Sequence, residues 1–231
     1  MISEVAGGAL FGVVAAGGYF APHALRYLVM PGVKRRLAQT RSVVLTYDDG
    51  PGTQLTPRLL DLLRDHDAKA TFFMLSSRAT RHPDVVDRLV AEGHEVGCHS
   101  HSHVSAWKAL PWKAVADIEA GYRALSRWMP SDGPFRPPYG RLSLPTWLAI
   151  RKRRAPIHWW TVDSGDTYAR LPEPNAVAEQ VTRAHGGIVL LHDFDRDPAR
   201  QDFVLRTTEA ILRVARRDGL RVRRLSDVEG L

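Results

Sequence analysis

Cysteine is nearly absent: the 231 residues hold one thiol, Cys98. A lone cysteine excludes an internal disulfide and any zinc site built from several thiolates. The chain also lacks internal repeats and low-complexity linkers, so nothing marks a second domain boundary within the folded part. Aromatic residues are sparse at 8%, they do not interleave with the basic residues, and no nucleic-acid-binding motif occurs. The basic stretch that opens a secretory signal is missing too, since Glu4 is the only early charge.

What is present suits one globular domain. Hydrophobic residues make up 44% and charged residues 25%, enough to bury a full core and too apolar for global disorder. The formal charge of +7 favours anionic partners, such as a membrane surface or an acidic glycan.

The N-terminus stands apart. Residues 5–21, "VAGGALFGVVAAGGYFA", carry no charge. As a helix they would extend about 25 Å at 1.5 Å per residue, slightly under a hydrocarbon core of about 30 Å. Gly8 and Gly12 form a small-xxx-small pair able to seat another helix. Residues 1–41 therefore read as a membrane anchor or a capping helix with a basic linker, ahead of a catalytic domain over 42–231. Arg26, Lys34, Arg35, Arg36 and Arg41 all follow the apolar stretch. By the positive-inside rule that asymmetry places the domain on the cytoplasmic face of a membrane.

From residue 42 strands and helices alternate. Apolar runs at 42–47, 70–75, 94–98, 135–136, 157–162, 187–191 and 220–222 read as strands. Amphipathic stretches such as "TPRLLDLLRDHD" and "DFVLRTTEAILRVARRDG" lie between several of them, with Pro57 and Pro83 in first turns and Gly93 and Gly219 as stops. The fold class is α/β, a parallel sheet of about seven strands, open or closed into a barrel. Either arrangement puts chemistry at the C-terminal ends of the strands.

Ionisable residues gather at those ends. Asp48 and Asp49 follow the first strand, "HSHSH" (99–103) the third, "RPPYG" (136–140) the fourth, "DSGD" (163–166) the fifth, and His192 ends the sixth. His99 and His103, four apart, would share one side of a helical turn. With a carboxylate from the first strand they make a two-His-one-Asp set, the arrangement of a catalytic metal with open coordination positions. One aspartate would bind the cation, whose charge lets its neighbour stay ionised. Gly50 and Pro51 would bend the chain so that both face one cleft.

The motifs "TYDDGP", "HSHSH", "RPPYG", "DSGD" and "LLH", in that order over roughly residues 42–225, resemble the five motifs of the polysaccharide deacetylase family, carbohydrate esterase family 4. That resemblance implies a distorted (β/α) barrel that removes N-acetyl, sometimes O-acetyl, groups from sugars with one divalent metal ion, commonly Zn2+. It implies Asp48 as general base and Asp49, His99 and His103 as metal ligands, with Ser100 between the histidines. Arg136 would hold Asp48 by charge pairing, and the backbone amide of Tyr139 would bind the oxyanion. His192 would be the general acid, oriented and made more basic by Asp166.

Two departures bear on the reading. Tyr47 stands where the family has phenylalanine. Asp166 is followed by Thr167 and Tyr168 where the family's fourth motif ends in a groove-lining tryptophan; Tyr168, Trp159 or Trp160 would have to replace it, with core packing as the alternative for Trp159 and Trp160. Cys98 reads as a buried small residue and not a ligand. The other classes are a carbohydrate-binding protein that lost turnover, an O-acetyl esterase and a phosphoesterase. The intact base and acid argue against the first, and a single metal set against the last. The substrate expected is a polysaccharide, peptidoglycan or lipid-linked glycan; a lipid-linked sugar, anionic through phosphate, would suit both the anchor and the positive charge.

Overall fold

The computed structural model describes the backbone of residues 2–231 and the side chains from Gly18 onward. A long helix, α1 (Ile2–Thr40), leads into β1 (Ser42–Asp48), α2 (Leu55–Asp65), β2 (Thr71–Met74), the single turn α3 (Ser76–Ala79), α4 (Pro83–Ala91) and β3 (Glu95–Cys98). Then come α5 (Pro111–Leu125), α6 (Leu144–Arg153), β4 (Val162–Asp163), α7 (Pro174–Arg183), β5 (Gly187–His192), α8 (Pro198–Asp218) and β6 (Arg221–Val222).

The strands run parallel in the order β3-β2-β1-β5-β4, with β6 pairing the start of β1. Every residue of β1 is buried, as a central strand covered on both faces requires, which is why it reads as an apolar run without alternation. Its register pairs Asp48 with Phe73 of β2 and with His192 of β5. That register brings the "DD" and "LLH" motifs side by side at one rim.

Among the described residues six strands form where about seven were expected. The run at 135–136 is a bridge and not a strand: Phe135 pairs singly with Cys98 on one side and Ile157 on the other. Pro134 and Pro137 flank it and lack the N–H groups that a longer ladder needs. The run at 157–162 likewise shortens to β4. These two bridges still link β3 towards β4, which closes the sheet into the distorted barrel.

Tyr47 is fully buried, and its hydroxyl meets the Thr208 hydroxyl at 2.9 Å, so the ring's polar end is satisfied inside the core. Gly219 ends α8 at φ 65°, a left-handed position that suits glycine.

The basic residues Lys34, Arg35 and Arg36 belong to α1 rather than to a linker, and Leu37 beside them is buried against Val44, Phe73 and Ile188. Among the described residues no helix is long and apolar enough to cross a membrane. Residues 5–17 of the expected anchor lie outside those whose side chains are described.

Candidate active site

The rim formed by the C-terminal ends of the strands holds a cleft of about 450 Å³. Asp48, Asp49, His99, His103, Tyr139 and His192 all line it, joined by Arg141, Trp160, Asp163 and Thr167. Of the expected site residues, Arg136 and Asp166 stand behind this wall, each buried and bonded to a residue that faces the cleft.

Asp49, His99 and His103 form the one group among the described residues able to hold a metal ion. Asp49 Oδ1 lies 3.5 Å from His99 Nε2 and 3.4 Å from His103 Nε2. Asp49 Oδ1 is also buried without a hydrogen-bond partner, an arrangement that costs free energy unless a cation completes it. His99 Nδ1 donates to the Arg136 carbonyl at 2.7 Å, which fixes the tautomer and leaves Nε2 as a lone-pair ligand. Burial, then the neighbouring His99, lower the His103 pKa against the pull of Asp49 and Asp48, keeping that imidazole neutral and ligand-competent. The donor set fits a divalent cation.

The two histidines are not on a helical turn. Residues 99–103 form an irregular loop in which Ser100 (φ 71°) and His103 (φ 61°) take left-handed backbone. The Ser100 hydroxyl accepts from the His103 N–H at 3.2 Å, and Asp117 accepts from the N–H groups of Ser102 and Val104. The loop folds back on itself, and that fold, not helical periodicity, aims both rings at one point. Asp49 (φ 68°) and Tyr139 (φ 57°) share the left-handed conformation. Each such non-glycine residue costs on the order of 1–2 kcal/mol, so four of them on one cleft mark a site where geometry overrides local preference.

Asp48 is held from behind. Its Oδ1 accepts from Arg136 Nη1 at 2.7 Å, and both side chains are buried. The same Nη1 reaches the Thr46 hydroxyl at 2.7 Å, and the guanidinium lies 4.2 Å over the Phe73 ring. Burial lowers the arginine's pKa, opposed by the Asp48 charge. Asp48 Oδ2 stays on the cleft side, 3.9 Å from His99 Nε2.

On the opposite wall, His192 Nδ1 bonds Asp166 Oδ1 at 2.9 Å. Burial opposes the imidazolium, but the Asp166 bond and charge, with the charges of Asp48 and Asp49, push its pKa up to about 9. For Asp166, burial alone would raise the pKa; the bonds and charges of His192 and Arg196 hold it below the usual carboxylate value.

Arg196, absent from the sequence reading, donates from Nη2 to Asp166 Oδ2 at 2.8 Å and from Nη1 to the Asp166 carbonyl at 2.9 Å. Its signal was the "HDFDR" run that begins at the last residue of β5. Asp195 in that run accepts from the N–H groups of Thr53, Gln54 and Leu55, pinning the turn behind Asp49. Asp193 lies buried where any Cβ on Gly50 would sit, which explains the glycine after the two aspartates.

Tyr139 sits in a short 3₁₀ turn after two prolines, with its N–H taking no backbone acceptor among the described residues. That donor is free for an oxyanion. Trp159 is buried and donates to the Gly140 carbonyl at 3.0 Å, so it supports this turn. Trp160 lines the cleft, whereas the exposed Tyr168 does not. Trp160 and Tyr139 are thus the tryptophan and tyrosine on the cleft wall. Cys98 is buried, and burial pushes its thiol up to about 12, as expected of an inert core residue.

The cleft thus sets one group able to hold a cation between a carboxylate held by an arginine and an imidazole held by a carboxylate. A family model described as polysaccharide deacetylase matches residues 36–155, and the chain belongs to that family. It is 32% identical over 157 residues to a peptidoglycan-N-acetylglucosamine deacetylase of Bacillus cereus, covering 67% of this chain and 74% of the relative. It is 36% identical over 158 residues to a chitooligosaccharide deacetylase of a Bradyrhizobium species, covering 67% and 71%. A crystal structure of a peptidoglycan N-acetylglucosamine deacetylase superposes with a TM-score of 0.72 at 27% identity, over 82% of this chain and 88% of the other.

Proposed function

We propose that the cleft hydrolyses the N-acetyl group of an N-acetylglucosamine-containing glycan, releasing acetate and a free amine. The observation that carries the reading is the pairing of two proton-transfer groups across one ligand set: Asp48 on Arg136, and His192 on Asp166. Asp49, His99 and His103 would hold the cation, with zinc the proposed ion because two imidazoles and one carboxylate suit it. When bound, such an ion lowers the pKa of water and polarises a carbonyl oxygen.

This chain's own residues do the rest. Asp48, fixed by Arg136, accepts a proton from the attacking water at its free Oδ2. Water oxygen bonds to the amide carbon, and the carbonyl oxygen becomes an oxyanion that the Tyr139 N–H can receive. His192, with Nδ1 committed to Asp166, presents Nε2–H to the amide nitrogen. Proton transfer there lets the C–N bond break with an amine as leaving group. Trp160 offers an apolar face for the sugar ring.

Acetate release from N-acetylated chitooligosaccharide, measured before and after chelation and zinc restoration, tests this. No acetate from any N-acetylated glycan by the metal-loaded protein would refute it.

A second reading concerns the carrier of the sugar. Arg141 lines the cleft and Arg26 of α1 approaches Gly140 at its mouth. Neither is in an ion pair among the described residues, which supports an anionic substrate such as a phosphate-linked lipid sugar at the cytoplasmic membrane face. Turnover of a lipid-phosphate-linked N-acetyl sugar against the free oligosaccharide, together with a C-terminal topology reporter, tests carrier and location.

A further inference from the structure

Helix α1 has two unlike faces beyond Gly18. Its inward face, at Pro22, His23, Arg26, Met30, Val33 and Leu37, follows the i, i+3/i+4 spacing of a helix laid on a domain. Its outward face should then be polar. Instead Phe20, Ala21, Ala24, Leu25, Leu28 and Val29 are exposed, Leu28 to 79%. No charge falls on that side until Lys34 and Arg35.

The neighbours of α1 repeat the pattern. The loop after "HSHSH" meets the helix through Trp107, whose ring lies 5.3 Å from Phe20, and through the Ala106 carbonyl, which accepts from the Tyr19 hydroxyl. That loop exposes Leu110, and the first turn of α5 directly after it exposes Trp112 to 65%. Helix α6, which packs on α1, exposes Leu144 and Leu148, with Arg151 and Lys152 continuing the same outward face. Apolar surface of this extent is unusual unless something covers it.

Charge identifies the cover. The three segments 18–47, 103–116 and 133–162 contain no aspartate or glutamate but thirteen lysines and arginines. Removing those thirteen from the chain's 32 basic residues leaves 19 against all 25 acidic ones, so these segments account for the positive net charge. Three of the thirteen are paired, Arg153 with Glu119, Arg36 with Glu229 and the buried Arg136 with Asp48, while Lys34, Arg35, Lys108, Lys113, Arg141, Arg151 and Lys152 pair with no carboxylate among the described residues. A second copy of the chain would bring like charges together across the contact. An anionic bilayer offers both an apolar layer and opposite charge.

We propose that the outward face of α1, the 107–110 loop with the first turn of α5, and the outward face of α6 form one surface that docks in the interface of an anionic membrane. The surface reaches the catalytic mouth. Trp107 Nε1 donates to the Leu142 carbonyl at 2.8 Å, and Arg141, which lines the cleft, lies 4.9 Å over the Trp107 ring. Docking there opens the cleft towards the headgroup layer, where a sugar on a lipid carrier would sit. This deepens the membrane reading above by locating the contact on the folded domain, and its test reads binding, not turnover.

Full-length protein is sedimented with vesicles of phosphatidylcholine alone and of phosphatidylcholine mixed with phosphatidylglycerol, at low and high salt. Binding is expected only with the mixture and weakens with salt. The double variant L28E/L148E should lose roughly tenfold or more of that binding, since each leucine's transfer is reversed. Its acetate release from a free chitooligosaccharide and its thermal midpoint should match the wild type, which separates lost docking from lost folding or lost catalysis. Wild-type vesicle binding by L28E/L148E would overturn the proposal, because residues 1–17 alone would then suffice. Equal binding to both vesicle types would overturn its electrostatic basis. A concentration-dependent dimer in light scattering that the variant dissolves would make a second chain the occupant and likewise overturn it.

Discussion

Replacing Asp166 by asparagine removes one charge and keeps the shape. In the wild type His192 Nδ1 and the His192 N–H both bond the Asp166 carboxylate, and Arg196 holds it in place. The imidazolium is stabilised from a usual pKa of 6.5 to about 9. That rise corresponds to on the order of 3 kcal/mol in favour of the charged form. At pH 8 a group of pKa about 9 is roughly 90% protonated, and one of 6.5 about 3%, so loss of the whole effect would cut the active acid about thirtyfold. Part of the rise comes from Asp48 and Asp49, a share that a bound cation offsets, while burial, which opposes the imidazolium, persists in the variant, so thirtyfold is an order-of-magnitude figure. The assay is a pH–rate profile of acetate release with metal content measured alongside. The alkaline limb should move down towards neutral pH in D166N while metal content stays constant. An unmoved limb near 9 with intact metal would show that His192 is not the acid. The same linkage acts on folding. Because the folded-state pKa lies above the unfolded one, the stabilisation is complete below 6.5 and is lost as pH rises through about 9.

Asp48→Asn should keep its metal but lose about 10²–10⁴ of the rate, since an amide cannot take the water's proton; metal analysis paired with turnover checks it. Arg136→Met leaves the Asp48 charge buried and alone, and should cost about 3–5 kcal/mol in urea unfolding, with part recovered in R136M/D48N. His103→Ala should abolish stoichiometric metal uptake, measured by elemental analysis of the purified protein. Gly50→Ala drives a methyl into the Asp193 carboxylate and should cost about 1–3 kcal/mol, read as a lowered denaturation midpoint.

The alternation of apolar runs and amphipathic stretches determined a parallel α/β sheet, because strand and helix periods are local properties of the chain. The position of carboxylates and imidazoles directly after those runs determined the rim on which chemistry would fall, since a strand delivers whatever follows it to its own C-terminal end. The clusters that hold Asp48, Asp49, His99, His103 and His192 were legible for that reason, whereas Arg136, Tyr139 and Asp166 were singled out by the resemblance of the five motifs to a known family. Their partnerships were not. Arg196 meets Asp166 across 30 residues, and the approach of Asp193 to Gly50 depends on the β1–β5 register, which no local pattern encodes. The His99–His103 spacing suggested a helical turn, but left-handed backbone at Ser100 and His103, fixed by Asp117 from another element, aims the rings instead. Flanking prolines reduced the fourth expected strand to a bridge, because a ladder needs N–H donors that proline lacks. Helix α1 shows the division most clearly. Its apolar composition was plain from the sequence, yet which side of it rests on the domain, and which is left bare beside the catalytic mouth, was decided only when Leu37 and Met30 found the core.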